Sequence, residues 1–210
     1  MKSMNTPSSP PEDLRSGARR RTAAILTSGA LLLLGAAASD APAGDGDRLT
    51  FTATQADVAV DGEFRSFTAD IDFDPAHPAD GKVTLTIELA SVSTGSRDAD
   101  ELLRGRDFFD VAHFPQASFS STAISTDGPE RFQAQGQFSL KGRSSRLAIP
   151  FAAHPAGSAL RIEGSVQLSR LAYRVGEGEW ADTGTLADRV LIRFDLHLPR
   201  DSHRVRGRGI

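Results

Sequence analysis

Leu160-Arg161-Ile162-Glu163-Gly164-Ser165-Val166-Gln167-Leu168 places an apolar residue or glycine at every second position and a polar one between. Successive side chains of a strand point to opposite faces, so this stretch has one buried face and one wet face. Working outward, the same alternation recurs through most of residues 48–198. Leu49, Phe51 and Ala53 share a face, and so do Phe67, Ala69, Ile71 and Phe73. Val83, Leu85, Ile87 and Leu89 follow, then Phe132, Ala134, Gly136 and Phe138, then Leu147, Ile149 and Phe151. Val190, Ile192, Phe194, Leu196 and Leu198 close the series. Strands of a parallel sheet are usually apolar on both faces, so one-sided strands predict antiparallel pairing. Asp61-Gly62, Pro78-Ala79-Asp80-Gly81, Asp127-Gly128-Pro129 and Pro155-Ala156-Gly157-Ser158 carry turn chemistry, with Asp61-Gly62 suited to a tight hairpin. The expected fold is all-β, about eight antiparallel strands in a sandwich or barrel. A closed barrel of that size is filled by side chains or holds one small ligand.

The alternation stops between Arg97 and Pro115. Asp98-Ala99-Asp100-Glu101-Leu102-Leu103-Arg104 is acidic at its start and basic at its end, as the helix dipole prefers, and Gly105 ends it. One or two short helices are expected in this 97–115 insertion. Phe108, Phe109 and Phe114 follow within seven residues. They either plug one barrel end or form part of a ligand-lining wall.

Around this insertion the chain resembles the YceI family. The residues that carry the resemblance are Ser93-Thr94-Gly95, Arg97-Asp98, Leu103-Arg104, Asp107-Phe108-Phe109-Asp110-Val111, Phe114-Pro115 and Phe119-Ser120-Ser121. Gly136 through Gly142, Asp61-Gly62-Glu63-Phe64 and Phe73-Asp74-Pro75 add to it. The resemblance covers residues 48–198 and departs at Lys141-Gly142-Arg143-Ser144-Ser145, where a Val-Thr pair is commoner after the glycine. It implies a lipocalin-like antiparallel barrel, export to the periplasm, and a polyisoprenoid or isoprenoid-quinone-like lipid held in the lumen. No catalytic residues follow from it. Tyr173 through Asp182 is similar to a branch linked to di-haem cytochrome b proteins, which implies a membrane cytochrome b as an alternative partner.

The inward faces supply candidate lining for such a lipid, whose apolar surface yields about 25 cal/mol per Å2 on burial. The candidates are Phe73, Ile87, Leu102, Leu103, Phe108, Phe109, Phe114, Phe138, Ile162 and Trp180. Gly136 and Gly164 on those faces either make room for the ligand or relieve curvature. Arg97 and Arg104 are the candidates for a polar head.

Composition narrows the remaining classes. The chain has 210 residues and no Cys, which removes disulfides and thiolate chemistry. Residues 44–198 carry 15 Lys/Arg against 23 Asp/Glu, a net −8 that repels nucleic-acid phosphate. His77, His113, His154, His197 and His203 form no local metal motif. The acids of the insertion alternate with arginines, which salt bridges and helix capping explain without catalysis. The expectation is therefore a binding protein without catalytic site, metal or cofactor. At the N-terminus, Arg19-Arg20-Arg21, an apolar run through Leu31–Leu34 and the small residues Ala41-Pro42-Ala43 make a secretory signal with a polar extension over 1–43. The run is shorter than the roughly 20 residues of a membrane span. Residues 44–198 form the barrel domain, and 199–210 a basic, disordered tail.

Overall fold

The computed structural model describes residues 46–199 and 204–208. The signal-peptide reading of residues 1–43 lies outside them. The described chain is one antiparallel sheet of eleven strands, strongly curled into a lipocalin-like barrel, with one α-helix. In chain order, β1 spans Arg48–Gln55, β2 Val58–Phe64, β3 Ser66–Asp72, β4 Lys82–Glu88 and β5 Val92–Ser93. Helix α1 (Arg97–Arg104) follows, then β6 (Gln116–Thr126), β7 (Arg131–Leu140), β8 (Arg143–Ala156), β9 (Ala159–Ser169), β10 (Arg189–Pro199) and β11 (Arg204–Arg208). Pairing runs β3-β4-β6-β7-β8-β9-β10-β1-β2. Only Arg65 separates β2 from β3, so the end of this order returns to its beginning through one bent strand. With β2 and β3 taken as its two halves, the wall has eight positions.

The bend is pinned by the end of β4. Arg65 N donates to Ser91 O at 3.2 Å, Ser66 N donates to Ser91 Oγ at 3.0 Å, and Ser91 Oγ donates to Glu88 O at 2.6 Å. β5 then pairs with β2 through Glu63 and Phe64 alone. The inward residues of the alternation become the core, and Leu49, Phe67, Ala69, Ile71, Phe119 and Phe132 are all buried.

Two expectations are corrected here. Asp61-Gly62 is not a turn. It lies inside β2, and the hairpin turns at Ala56-Asp57, both in the left-handed region with φ of 45° and 63°. Gly62 sits opposite Phe51, and a Cβ there would strike the Phe51 ring, so packing rather than turn geometry explains this glycine. The tail expected to be disordered forms β11 on the edge of β3, from Arg204 opposite Asp70 to Arg208 opposite Ser66. Unpaired backbone groups of an edge strand offer ladder bonds to any free segment nearby.

All connections of the barrel's upper end gather together: β1–β2, β4–β6 with α1, the Lys141-Gly142 hairpin, and the long β9–β10 segment 170–188. Lys141 ties three of these elements. Its ammonium donates to Arg106 O (2.8 Å), Arg174 O (2.8 Å) and Glu177 Oε2 (3.1 Å), with 6% of the side chain exposed. The lower end is closed by Phe73, Phe132 and Phe151, whose ring centroids lie 4.9–5.5 Å apart. Such pairs contribute about 0.5–1.5 kcal/mol each beyond area burial.

Candidate ligand cavity

The lumen is not filled. An apolar cavity of about 270 Å3 occupies its upper half and a smaller one of about 70 Å3 its lower half. Leu49, Leu85, Phe119, Ile149 and Phe194 line both and form the waist between them.

Three glycines keep the walls thin. A Cβ on Gly136 would meet the Phe119 ring at 2.7 Å and the Ser120 carbonyl, and one on Gly164 would meet the Phe194 ring at 2.6 Å and Pro150 O at 2.5 Å. A Cβ on Gly62 would meet Phe51 Cε1 at 2.6 Å. Phe51, Phe119 and Phe194 all line the upper cavity. Each ring lies over a glycine against the wall, where any side chain would push it toward the lumen. At Gly136 and Gly164 a side chain would strike an aromatic ring of the lumen, and Gly136 also lies opposite the register shift between Ser121 and Ala123, so space for the ring and a local irregularity of the sheet meet at this glycine.

The roof comes from the insertion and from the 170–188 segment. Ser96 caps α1 by accepting from Ala99 N, and Arg104 holds the far end of the helix against the chain before it. Phe109 N donates to Leu103 O at 3.0 Å, folding the loop back under the helix. Gly176 N and Glu177 N both donate to Asp107 O at 2.8 Å, joining the two roof segments. Phe108 packs on Trp180 at 5.5 Å between centroids, and Phe109 on Phe64 at 5.8 Å. Leu102 and Gln55 line the cavity yet are exposed, Leu102 by 42%, which places the mouth between α1 and the β1–β2 turn.

Of the residues singled out from sequence, Ile87, Leu102, Leu103, Phe108, Phe109, Phe138 and Trp180 line the upper cavity. Phe73 and Ile162 line the lower one. Phe114 lines neither and packs its ring against Gly142 of the β7–β8 hairpin instead. The two head candidates do not reach the lumen. Arg97 is on the surface, paired with Glu101 at 3.1 Å. Arg104 donates to Ala90 O and Val92 O, both at 2.9 Å, so it splints the helix to β5. A cation in the last helical turn is drawn to nearby carbonyls, and these occupy it.

Besides Trp180, the polar lining comes from residues outside the list of candidates. Gln55 and Arg170 line the upper cavity, and each extends an inward series by one step, after Ala53 and after Leu168. Carrying the period of two past the strand end would have found both. Thr94 also lines it, with its hydroxyl donated to Asp100 at 2.8 Å. Tyr173 is buried and its hydroxyl shares a 2.5 Å hydrogen bond with Ser145. Arg170 is the charged lining residue, 4% exposed. Burial pushes its guanidinium below the ordinary arginine range, partly opposed by Asp188.

A family model described as a YceI-like domain matches residues 43–198. The chain belongs to this family. Protein YceI of Escherichia coli O157:H7 is 40% identical over 81 residues, 39% of this chain and 42% of that protein. A UPF0312 protein of Azotobacter vinelandii is 35% identical over 88 residues, 42% of this chain and 46% of that one. The chain therefore spans less than half the length of these curated relatives. Among solved structures, BcnA of Burkholderia cenocepacia superposes with a TM-score of 0.70 at 33% identity, covering 71% of this chain and 94% of BcnA. A polyisoprenoid binding domain from Saccharophagus degradans superposes with a TM-score of 0.59 at 14% identity, over 74% of this chain and 95% of that one, and shares the fold. Among the described residues, no three His, Asp or Glu side chains are grouped to hold a metal.

Proposed function

We propose that this YceI-like protein binds a long apolar isoprenoid lipid in its barrel lumen, as an exported periplasmic carrier or store, with no catalytic step. The observation that carries the reading is the upper cavity, an apolar space walled by Phe51, Phe119 and Phe194 packed over glycines and roofed by Phe108, Phe109 and Trp180. A cavity of about 270 Å3 lies near the lower limit of sites for small ligands, and apolar lining with a few polar groups is their usual composition. The fold relative from Saccharophagus degradans, described as a polyisoprenoid binding domain, supports the ligand class. The signal-like residues 1–43 support export. Trp180 packs on Phe108 inside the roof, so a cytochrome b partner rests on sequence resemblance alone.

The test is native mass spectrometry with lipid extraction, on protein exported and purified without detergent. An isoprenoid co-purifying at about one per chain is the expected result. A chain that arrives empty and takes up no added prenyl lipid overturns the proposal.

A further inference from the structure

β8 and β9 are not paired along their whole length. Their ladder begins at Ala156 opposite Ala159 and stops at Phe151 opposite Gly164. Above that point β8 runs on to Arg143 beside β7, and β9 runs on to Ser169 beside β10, with no register between the two. Pro150 marks the stop. Ala153 N donates to Glu130 O at 3.0 Å, on the β7 side, so Ala152 and Pro150 turn their backbone groups toward β9. Pro150 has no N–H to give there, and the ladder loses that bond. The wall of the upper cavity therefore has a seam. Leu147 and Ile149 flank it on one side, Val166 and Leu168 on the other, and all four line the cavity and are half-buried. Ser145 shares the inward phase of Leu147 and Ile149, yet it is exposed, so water reaches the inner side of β8 here. The seam is bounded below by the Phe151–Gly164 pair and above by the bonds of Lys141 to Arg174 O and Glu177. At about 3.3 Å per residue, the unpaired stretch Ser165–Ser169 makes it about 17 Å long. Between these ends, the hydrogen bond that crosses it among the described residues joins Ser145 to the Tyr173 hydroxyl. The Tyr173 ring is buried edge-on to Phe138, 5.2 Å between centroids.

We infer that the seam between β8 and β9 is a side gate through which the apolar ligand enters and leaves the lumen, with the Ser145–Tyr173 bond as its latch. The inference rests on the lipid-binding reading above and adds a route to it. The bonds that must break decide between routes. Widening the mouth beside α1 parts the Arg104 guanidinium from Ala90 O and Val92 O, or unzips β1 from β2. Lifting the roof breaks the bonds made by Lys141 and Arg170. Hydrogen bonds from a charged donor are roughly twice as strong as neutral ones. Parting the seam breaks the neutral Ser145–Tyr173 bond and no ladder. Shape agrees with energy. A long chain must thread end-on through the mouth. A slot parallel to the strands admits it side-on, with apolar side chains on both edges against its length.

The test uses the full exported chain, emptied of lipid, with farnesol as the probe in stopped-flow fluorescence. Trp180 is the one tryptophan of the chain and lines the cavity, so its emission reports arrival. The chain has no Cys, so the pair Ala148→Cys and Gln167→Cys, exposed on the two edges of the seam, can be bridged by a short bismaleimide. A gate alters rates and leaves the equilibrium alone. Bridging is expected to slow uptake and release alike by about tenfold or more, as when a lid that limits exchange is held shut, with Kd equal to that of the unbridged pair. Ser145→Ala removes the latch and is expected to speed both rates about fivefold, the value of one neutral hydrogen bond, again at constant Kd. Slowing by the bridge without acceleration by Ser145→Ala keeps the gate and overturns the latch. Rates that neither change moves, or a Kd that moves while the rates do not, overturn the gate while lipid binding stands. Should the thiols not bridge, Ser145→Ala decides the matter alone. Absence of farnesol binding to the wild-type chain overturns both readings.

Discussion

Replacing Gly62 with alanine tests whether the lumen is held open by rings lying over glycine. The new Cβ would fall 2.6 Å from Cε1 and 3.0 Å from Cε2 of Phe51, with Cζ nearer still. All three nearest atoms belong to this one side chain and none to the backbone. Carbon atoms pack best about 3.5–4.0 Å apart, so the ring must retreat by about 1 Å or more. The wall lies behind Gly62, so the ring retreats into the upper cavity that it lines. Overpacking of this kind costs about 1–3 kcal/mol. Removing glycine from a strand returns about 0.5–1 kcal/mol, leaving a net loss of about 1–2 kcal/mol in stability. For binding, a ring advanced into the lumen displaces about two methylenes of ligand. At about 0.8 kcal/mol each, affinity falls about tenfold. The assay pairs a prenyl-lipid Kd from native mass spectrometry with thermal unfolding of the empty protein. Phe51→Leu is added in a double-mutant cycle, which isolates the coupling between the two positions. Partial restoration of affinity is expected when the shorter side chain relieves the clash. Wild-type affinity in Gly62→Ala, or a loss that Phe51→Leu leaves unchanged, refutes the reasoning.

Gly164→Ala is expected to cost more stability than Gly62→Ala in the same thermal assay, because its Cβ also meets the backbone oxygen of Pro150 at 2.5 Å. Lys141→Met removes charge-assisted bonds to Arg106 O, Arg174 O and Glu177. A loss of about 2–4 kcal/mol in urea unfolding is expected, with the roof loops more open to proteolysis. Asp195 has its carboxyl held below the ordinary range by hydrogen bonds from Arg161, against partial burial. A depressed folded pKa stabilises above the unfolded value of about 3.9 and loses that contribution as pH falls through the folded pKa. Asp195→Asn is therefore expected to flatten the fall of Tm with pH below about 4, and an unchanged slope rules out this pair as a source of acid sensitivity.

The strand faces were readable because one-sided burial imposes a period of two on any antiparallel wall. The inward series through Ile87, Phe138, Ile162 and Phe73 needed nothing beyond that rule, and all four line the lumen. The insertion was readable as well, because a helix with acidic and basic ends followed by Phe108 and Phe109 has few places to bury its apolar residues. Capping and charge order are local, so Ser96 through Gly105 folds as its own residues direct.

What tertiary structure alone decided lies where residues distant in sequence meet. Gly62 resembles a turn glycine until β1 sets Phe51 across from it. Arg97, Arg104 and Arg170 are indistinguishable as residue types. Their roles were settled by the acceptors within reach of each: one guanidinium remains at the surface beside a carboxylate, one splints a helix, and one closes over the lumen on backbone carbonyls. Phe114 differs from Phe108 only in that the Lys141-Gly142 hairpin reaches it first. Periodicity assigns a residue to a face. The partner it meets there depends on how the sheet curls, and that is set by pairings between residues far apart in the chain, as between Arg48 and Asp195.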